Sequence, residues 1–186
     1  MRSGLRNLSA WRSNAAGMNK YHLAYLSLGS NIQPETHLVR AVQLLQEHGQ
    51  IEKISSAWES MSVGAEGPNY LNACLSLVTH LSQADLKERV LLPIELTLGR
   101  KRSENRFAPR TMDIDMVIFD EHSCDNRYWK QAFVVIPLAQ IHPTFQNPLN
   151  RDPILETADR FRREFWIRER HEVLSRFRGI NFTDQI

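Results

Sequence analysis

The order in which apolar runs and amphipathic segments alternate is the feature of this 186-residue chain that most restricts its fold. Apolar runs of strand length begin at His22, Ile51, Tyr70 and Met112. Segments of helical periodicity separate the first run from the second (36–48) and the third from the fourth (82–98). The order β-α-β-β-α-β predicts an α+β fold of the ferredoxin-like type.

This order implies a four-stranded antiparallel sheet with both main helices on one face, so that the other face is free to form a site. Residues 133–141 predict a short apolar run, a turn at Pro137 and a second short run. From about residue 151 the chain is charged and helix-prone, and we expect a C-terminal helix reaching to about residue 178. Residues 21–186 are therefore predicted to form a single domain.

Residues 1–20 differ from the rest of the chain, because they carry four basic residues and no acidic one among Ser, Asn and Gly. We expect a flexible N-terminal tail, or a true start at Met18. A transit peptide is compatible with the same composition. We expect no secretory signal, because the segment has no apolar core.

Composition argues against several classes of protein. A formal net charge of +2 is too small to indicate a dedicated nucleic-acid binder. The two cysteines, Cys74 and Cys124, have no CxxC partner, so neither a zinc site nor a disulfide framework is predicted, and a reducing, cytoplasmic location is favoured. The apolar runs are far shorter than the ~20 residues of a membrane-spanning helix.

A basic loop directly followed by two aspartates is the clearest sign of chemistry. Five of the eleven residues from Arg100 to Arg110 are basic, and Asp113 and Asp115 follow at once. Residues i and i+2 of a strand share a face, so the two carboxylates should lie side by side. Such a pair suits Mg²⁺, and neighbouring arginines suit phosphates. The alternative is a solvated edge-strand face, but the intervening residues are apolar.

Tyr70 and Asn72 form a second pair on one strand face. An aromatic ring and a carboxamide together can stack on a flat heterocycle and hydrogen-bond to it. Taken alone, the pair favours an ordinary strand with an exposed tyrosine.

Five segments in order resemble the 6-hydroxymethyl-7,8-dihydropterin pyrophosphokinase family. They are YLSLGSN (25–31), YLNA (70–73), IE (94–95), GR (99–100) and PRTMDID (109–115). The resemblance extends over roughly Tyr21 to Pro148. It implies a ferredoxin-like fold and a reaction in which the pterin hydroxymethyl oxygen attacks the β-phosphorus of ATP and AMP leaves.

The resemblance also implies roles for individual residues. Two Mg²⁺ ions would accompany ATP at the metal ligands Asp113 and Asp115. Catalysis would involve Arg100, Arg110 and Asp115. ATP would contact Arg100, Arg102, Arg110 and Met116, and the pterin would contact Ser60, Val63, Tyr70, Asn72, Phe107 and Phe133. Glu95 matches a helix acid near the site, and loops around Val63 and Arg106 would close over it.

The chain departs from the family pattern between Asp120 and Gln131. This stretch is short and has no Pro-His, and Gln131 stands where an arginine is expected to help hold ATP. Arg127 and Lys130 are candidate substitutes. Weaker nucleotide contacts are therefore expected at this end of the ATP site.

Two other functions remain open at this point. A degenerate relative could bind a pterin or nucleotide without catalysis, given the altered segment. A nucleic-acid-binding module is the other option, since related sheets bind RNA, but paired aspartates would repel phosphates. We expect the active enzyme, with ATP and a reduced pterin as its partners and neither nucleic acid nor membrane, as a monomer or a weak homodimer through Phe165 and Trp166.

Overall fold

The computed structural model describes residues 21–62, 67–101 and 109–177. One antiparallel sheet has the order β6-β5-β1-β4-β3-β7, and β2 pairs with β4 beside β3. The strands are β1 (His22–Ser30), β2 (Gln50–Ile54), β3 (Ala57–Ser60), β4 (Tyr70–Thr79), β5 (Asp113–Phe119), β6 (His122–Ser123) and β7 (Ile167–Arg170).

Two helical segments pack on one face of the sheet, as the sequence predicts. They are α1 (Pro34–Gln46) and a longer segment in which α2 (Gln83–Leu86) passes through a π turn (Lys87–Leu91) into α3 (Leu92–Thr97). Ser82 caps α2 by accepting the N–H of Asp85. Pro93 does not break the segment, because the π turn before it lets the N–H of Leu92 bond to Lys87.

The main core lies between these helices and the sheet. It includes Leu38 and Leu45 of α1, Leu86 and Leu91 of the second segment, and Leu26, Leu75 and Met116 of the strands. The predicted ferredoxin-like arrangement is therefore confirmed. No described helix is both long and apolar enough to cross a membrane.

The opposite face is less open than the sequence predicts. The helices α4 (Ala132–Ile141) and α5 (Ile154–Glu164) pack there over a second core that contains Tyr25, Cys74 and Val117. The predicted turn at Pro137 is wrong, since α4 runs through this proline. Among the described residues, the end of this face beyond α4 stays uncovered and lines a pocket.

The chain beyond α5 also differs from the prediction. The expected helix is present from Ile154 but ends at Glu164, and Phe165 adopts an extended conformation. β7 then pairs with β3, and Arg168 and Arg170 bind Glu59 of that strand. The predicted second strand over 51–58 is in fact β2 and β3, separated at Ser55 and Ser56.

Candidate active site

A pocket of about 260 Å³ lies on the sheet face that α4 and α5 partly cover, at the end where β1 ends and β4 and β5 begin. Its walls come from four strands and the start of α4. The lining residues are Ser27, Gly29, Ser60, Met61, Tyr70, Asn72, Arg110, Asp113, Asp115, Gln131 and Phe133.

The sheet register brings the two aspartates to this pocket. Asp113 lies opposite Gly29 and Asp115 lies opposite Ser27 in the β1–β5 pairing. Their neighbours Met112, Ile114 and Met116 point into the main core. The predicted division of β5 into a charged face and a buried face is therefore confirmed.

Asp113 is bound by two arginines that come from opposite ends of the basic loop. Arg100 donates to one carboxylate oxygen and Arg110 donates to the other. All three side chains are mostly buried, with 19 to 28% of each exposed. Charge-assisted pairs of this kind are strong when they are partly shielded from water.

Glu95 of α3 links this cluster to the backbone of β5. Its buried carboxylate binds Arg100 and accepts the N–H of Ile114 at 2.7 Å. Burial raises the pKa of Glu95, while the Ile114 N–H and the charge of Arg100 act in the opposite direction. Burial would lower the pKa of Arg100, but Asp113 and Glu95 outweigh it and the net shift is upward.

Asp115 has a different partner. The hydroxyl of Tyr128 donates to its Oδ1 atom at 3.1 Å. Although Asp115 is exposed to solvent, its pKa is raised, first because neighbouring protein atoms reduce its hydration and then because Asp113 is negative. The Tyr128 hydrogen bond and the two arginines partly oppose that shift.

The end of β1 anchors the segment that carries Arg110. Asn31 is buried and binds the backbone of Arg110 twice. Its side-chain oxygen accepts the backbone N–H of Arg110 at 2.7 Å, and its backbone N–H donates to the Arg110 carbonyl at 3.0 Å. The hydroxyl of Ser30 donates to the carbonyl of Thr111 at 2.6 Å. The first and last of the five family-like segments, 25–31 and 109–115, thus meet directly, and β1 extends to Ser30.

The other end of the pocket is aromatic and amide-lined. The Asn72 amide donates to Ser60 Oγ at 3.0 Å and to the Trp58 carbonyl at 3.4 Å. Tyr70 and Phe133 complete the wall. Gly29 forms the floor between Asn72 and Asp113, and a Cβ atom there would lie only 3.1 Å from the Asn72 Oδ1. A flat surface at this point therefore depends on glycine.

The structure brings together most of the predicted site residues: Arg100, Arg110, Asp113, Asp115, Ser60, Tyr70, Asn72 and Phe133. Met116 is separate, because its side chain lies in the main core on the other side of the sheet. Three predicted contacts, Val63, Arg102 and Phe107, and the loop residue Arg106 fall outside the described residues.

Sequence reasoning missed Tyr128 and the floor formed by Ser27 and Gly29. The alternation along β1, where Ala24, Leu26 and Leu28 face the main core, could have placed Ser27 and Gly29 on the site face. No local pattern could have linked Tyr128 to Asp115, since the contact joins β5 to the short 3₁₀ helix that follows β6.

The carboxylate oxygens in this pocket fit a hard divalent cation that binds together with a phosphate group. Asp113 and Asp115 supply carboxylate oxygens, and the described residues include no cluster of three or more His, Cys, Asp or Glu side chains able to hold a metal. Mg²⁺ characteristically takes one or two carboxylates and completes its shell with water and substrate phosphates.

Comparisons with known proteins agree with this chemistry. The family model described as 7,8-dihydro-6-hydroxymethylpterin-pyrophosphokinase (HPPK) matches residues 25–143. The chain is 37% identical over 132 residues to 2-amino-4-hydroxy-6-hydroxymethyldihydropteridine pyrophosphokinase of Bacillus subtilis, covering 64% of this chain and 78% of that protein. It is 32% identical over 142 residues to the Aquifex aeolicus protein of the same name, covering 71% and 88%.

Solved structures support the fold. The Plasmodium falciparum HPPK-DHPS wild type with SDX-DHP superposes with a TM-score of 0.59 at 10% identity, over 91% of this chain and 48% of that one. The same protein with pteroate gives a TM-score of 0.58, over 78% and 43%. The chain thus spans about half the length of these two-part proteins. From the family match and the bacterial relatives, the chain belongs to the 7,8-dihydro-6-hydroxymethylpterin-pyrophosphokinase family.

Proposed function

We propose that this protein transfers the diphosphate of ATP to the hydroxymethyl group of 6-hydroxymethyl-7,8-dihydropterin and releases AMP, a step of folate biosynthesis. The observation that carries the proposal is a single pocket with two distinct ends. One end holds Asp113 and Asp115 with two arginines, and the other holds Tyr70, Asn72 and Phe133. An anionic co-substrate and a flat heterocycle can thus meet in one site.

At the heterocycle end, Phe133 offers a ring face and Asn72 offers amide hydrogen-bonding groups. The amide is held by Ser60 and the Trp58 carbonyl, so its orientation is set before a ligand arrives. Preorganised polar groups on an apolar wall are what orient a small heterocycle. Phe107 and Val63, predicted to complete this subsite, are proposed contacts that fall outside the described residues.

At the phosphate end, Asp113 and Asp115 would hold magnesium, and we infer two ions from the family resemblance. When bound with ATP, magnesium neutralises phosphate charge and stabilises the attacking and leaving oxygens. The chain's own part is to place carboxylates and arginines around the phosphates. Transfer of this kind depends on positioning and charge stabilisation more than on covalent help.

The arginines must change partners for this to happen. Arg100 and Arg110 occupy both oxygens of Asp113 in the structure. Phosphate oxygens can take over the guanidinium groups, which frees Asp113 to bind a cation. Metal and nucleotide should therefore bind cooperatively. The nucleotide phosphates take Arg100 and Arg110 from Asp113, and the metal ion takes the place of the arginines on Asp113.

In the reaction, the hydroxymethyl oxygen forms a bond to the β-phosphorus and loses its proton to solvent, while the bond from that phosphorus to the α-phosphate oxygen breaks. AMP leaves with the electron pair of that bond. Arg100 and Arg110 are the proposed catalytic residues, because they are the described guanidinium groups nearest the aspartates and can stabilise charge on the transferred group.

The direct test is AMP release from purified protein with ATP, Mg²⁺ and the reduced pterin. We expect AMP and pterin diphosphate in equal amounts, and no AMP with Asp113→Asn. Failure of the wild type to release AMP at saturating substrates would overturn the proposal. Glu88→Ala, an exposed glutamate on the π turn, is a suitable control and should retain full activity.

One observation favours a second candidate, a relative that binds pterin without transferring diphosphate. Gln131 lines the pocket where the resemblance expects an arginine for ATP. Calorimetry separates the two functions. Pterin binding without measurable affinity for ATP and Mg²⁺ would favour the second candidate, whereas cooperative binding of ATP and Mg²⁺ favours the enzyme.

The cellular setting and assembly remain proposals. We place the reaction in the cytoplasm, and Cys74 and Cys124 are both free thiols in the structure. We propose a monomer or a weak homodimer. Phe165 and Trp166, each 48% exposed, are the candidate contacts, and sedimentation of the wild type beside Trp166→Ser would test them.

A further inference from the structure

Tyr128 makes a contact with the proposed metal site that sequence reasoning did not foresee. Its hydroxyl donates to Asp115 Oδ1 at 3.1 Å and so links the 3₁₀ helix Asn126–Lys130, which carries Tyr128, to β5, which carries Asp115. We propose that Tyr128 is a positioning residue, which fixes the orientation of the Asp115 carboxylate for cation binding. The proposal rests on the function proposed above.

The 3₁₀ helix that carries Tyr128 is anchored on both sides of this residue. Asp125 caps the helix by accepting the N–H of Arg127 at 2.8 Å. Trp129 is 1% exposed, donates its indole N–H to Ser123 Oγ at 2.7 Å and stacks on Phe145 with ring centroids 5.0 Å apart. Because its immediate neighbours are fixed, the Tyr128 ring reaches Asp115 from a rigid support.

The consequence for Asp115 follows from the geometry of a carboxylate. With Oδ1 held by a hydroxyl, rotation about the Cβ–Cγ bond is restricted, and the second oxygen stays available to a cation. A residue that orients a metal ligand in this way spares the cation the entropy of ordering it.

The neutral character of tyrosine matters as well. Asp113 is neutralised by Arg100 and Arg110, so a cation must compete with two positive charges there. Tyr128 holds Asp115 without adding a positive charge. Asp115 is therefore the carboxylate better prepared to bind a cation before the arginines move.

The test compares Tyr128→Phe with the wild type. This change keeps the ring and removes only the hydroxyl. Tyr21→Phe, directly before the start of β1, is the matched control. Mn²⁺ binding is followed by electron paramagnetic resonance in the presence of an ATP analogue with a methylene bridge between the α- and β-phosphorus atoms. Steady-state rates are measured against Mg²⁺, ATP and pterin separately, and thermal unfolding is recorded for each variant.

We expect Tyr128→Phe to bind Mn²⁺ about tenfold more weakly and to need about tenfold more Mg²⁺ for half-maximal rate, in line with other changes beside metal ligands. The maximal rate at saturating Mg²⁺, the KM for the pterin and the unfolding temperature should stay near wild type. Ser123→Ala, which removes the anchor of Trp129, should give a smaller shift in the same direction.

Unchanged Mn²⁺ affinity and Mg²⁺ dependence in Tyr128→Phe would overturn the proposal. An equal loss in all kinetic constants together with a lower unfolding temperature would also overturn it, because that pattern indicates a merely structural role. The Mn²⁺ measurement does not depend on turnover. A wild type that binds Mn²⁺ but releases no AMP would contradict the proposed function while leaving the role of Tyr128 to be decided by the variant.

Discussion

Replacement of Glu95 by alanine is the perturbation whose outcome the structure defines most closely. β6 pairs only with Ile118 and Phe119 of β5, so it does not reach the N–H of Ile114. Glu95 takes the place of a neighbouring strand there, accepting this N–H at 2.7 Å while it binds Arg100. With only 3% of the residue exposed, water cannot readily replace it.

The expected change in the free energy of unfolding follows from the groups that each substitution removes or leaves without a partner. In Glu95→Ala the buried N–H of Ile114 loses its acceptor, which costs about 1–3 kcal/mol. The lost stem methylene adds about 0.8 kcal/mol. Relief of the buried charge offsets part of this sum, and Arg100 keeps Asp113 as a partner. We expect a net loss of about 2–3 kcal/mol for alanine. Glutamine keeps an acceptor oxygen, so it should lose only about 1 kcal/mol.

Urea unfolding of the metal-free protein at neutral pH measures these differences. The same loss should lower the unfolding temperature by about 5–10 °C in a domain of this size. Glu88→Ala serves as the control and should stay within about 0.5 kcal/mol of wild type. The reasoning is refuted if Glu95→Ala is as stable as the control, or if the glutamine variant is as unstable as the alanine variant.

Three further predictions concern single side chains. Asp115→Asn should abolish AMP release. Because the pKa of Asp115 is raised in the folded state, the contribution of this side chain to the stability of the metal-free protein should fall as pH rises above 3.8, and the difference in urea unfolding between wild type and this variant, followed across pH, should show that fall. Burial raises the pKa of Cys74 to about 12, so its thiol should not react in the native state. In a Cys124→Ser variant, an aromatic disulfide reagent at pH 8 should label no thiol until the protein unfolds, and rapid labelling of the native state would contradict the buried position. Gln131→Arg should lower the KM for ATP about tenfold by adding one charge-assisted hydrogen bond, and an unchanged KM would show that Gln131 lies outside the nucleotide site.

Periodicity alone predicted much of the site. A strand alternates its side chains whatever it packs against, so the sequence was sufficient to put Asp113 and Asp115 on one face of β5 and Met112, Ile114 and Met116 on the other. The order of apolar segments likewise predicted the sheet and its two main helices. The same alternation, applied to Met116, would have excluded its side chain from the ATP site.

Elements without a distinctive period were decided by tertiary packing. Residues 133–141 are apolar except for Gln140, a composition that a buried strand and a buried helix share. They form α4 because most of their side chains are buried against the sheet and α5, despite the proline. Residues 167–170 have the sequence IRER, in which three charged side chains follow one apolar residue and no strand is predicted. They become β7 because the edge of β3 offers hydrogen-bonding groups and Glu59 binds their arginines.

The pairing of charges in the site was also beyond the sequence. A basic loop and two aspartates are visible in the printed chain, but their partners depend on how β1, β5 and α3 come together. The β1–β5 register, the Glu95 support and the anchored 3₁₀ helix assign both arginines to Asp113 and Tyr128 to Asp115. Sequence thus determined which chemical groups the site contains. Tertiary structure decided which group holds which, because hydrogen bonds depend on distances and angles that only the packed elements define.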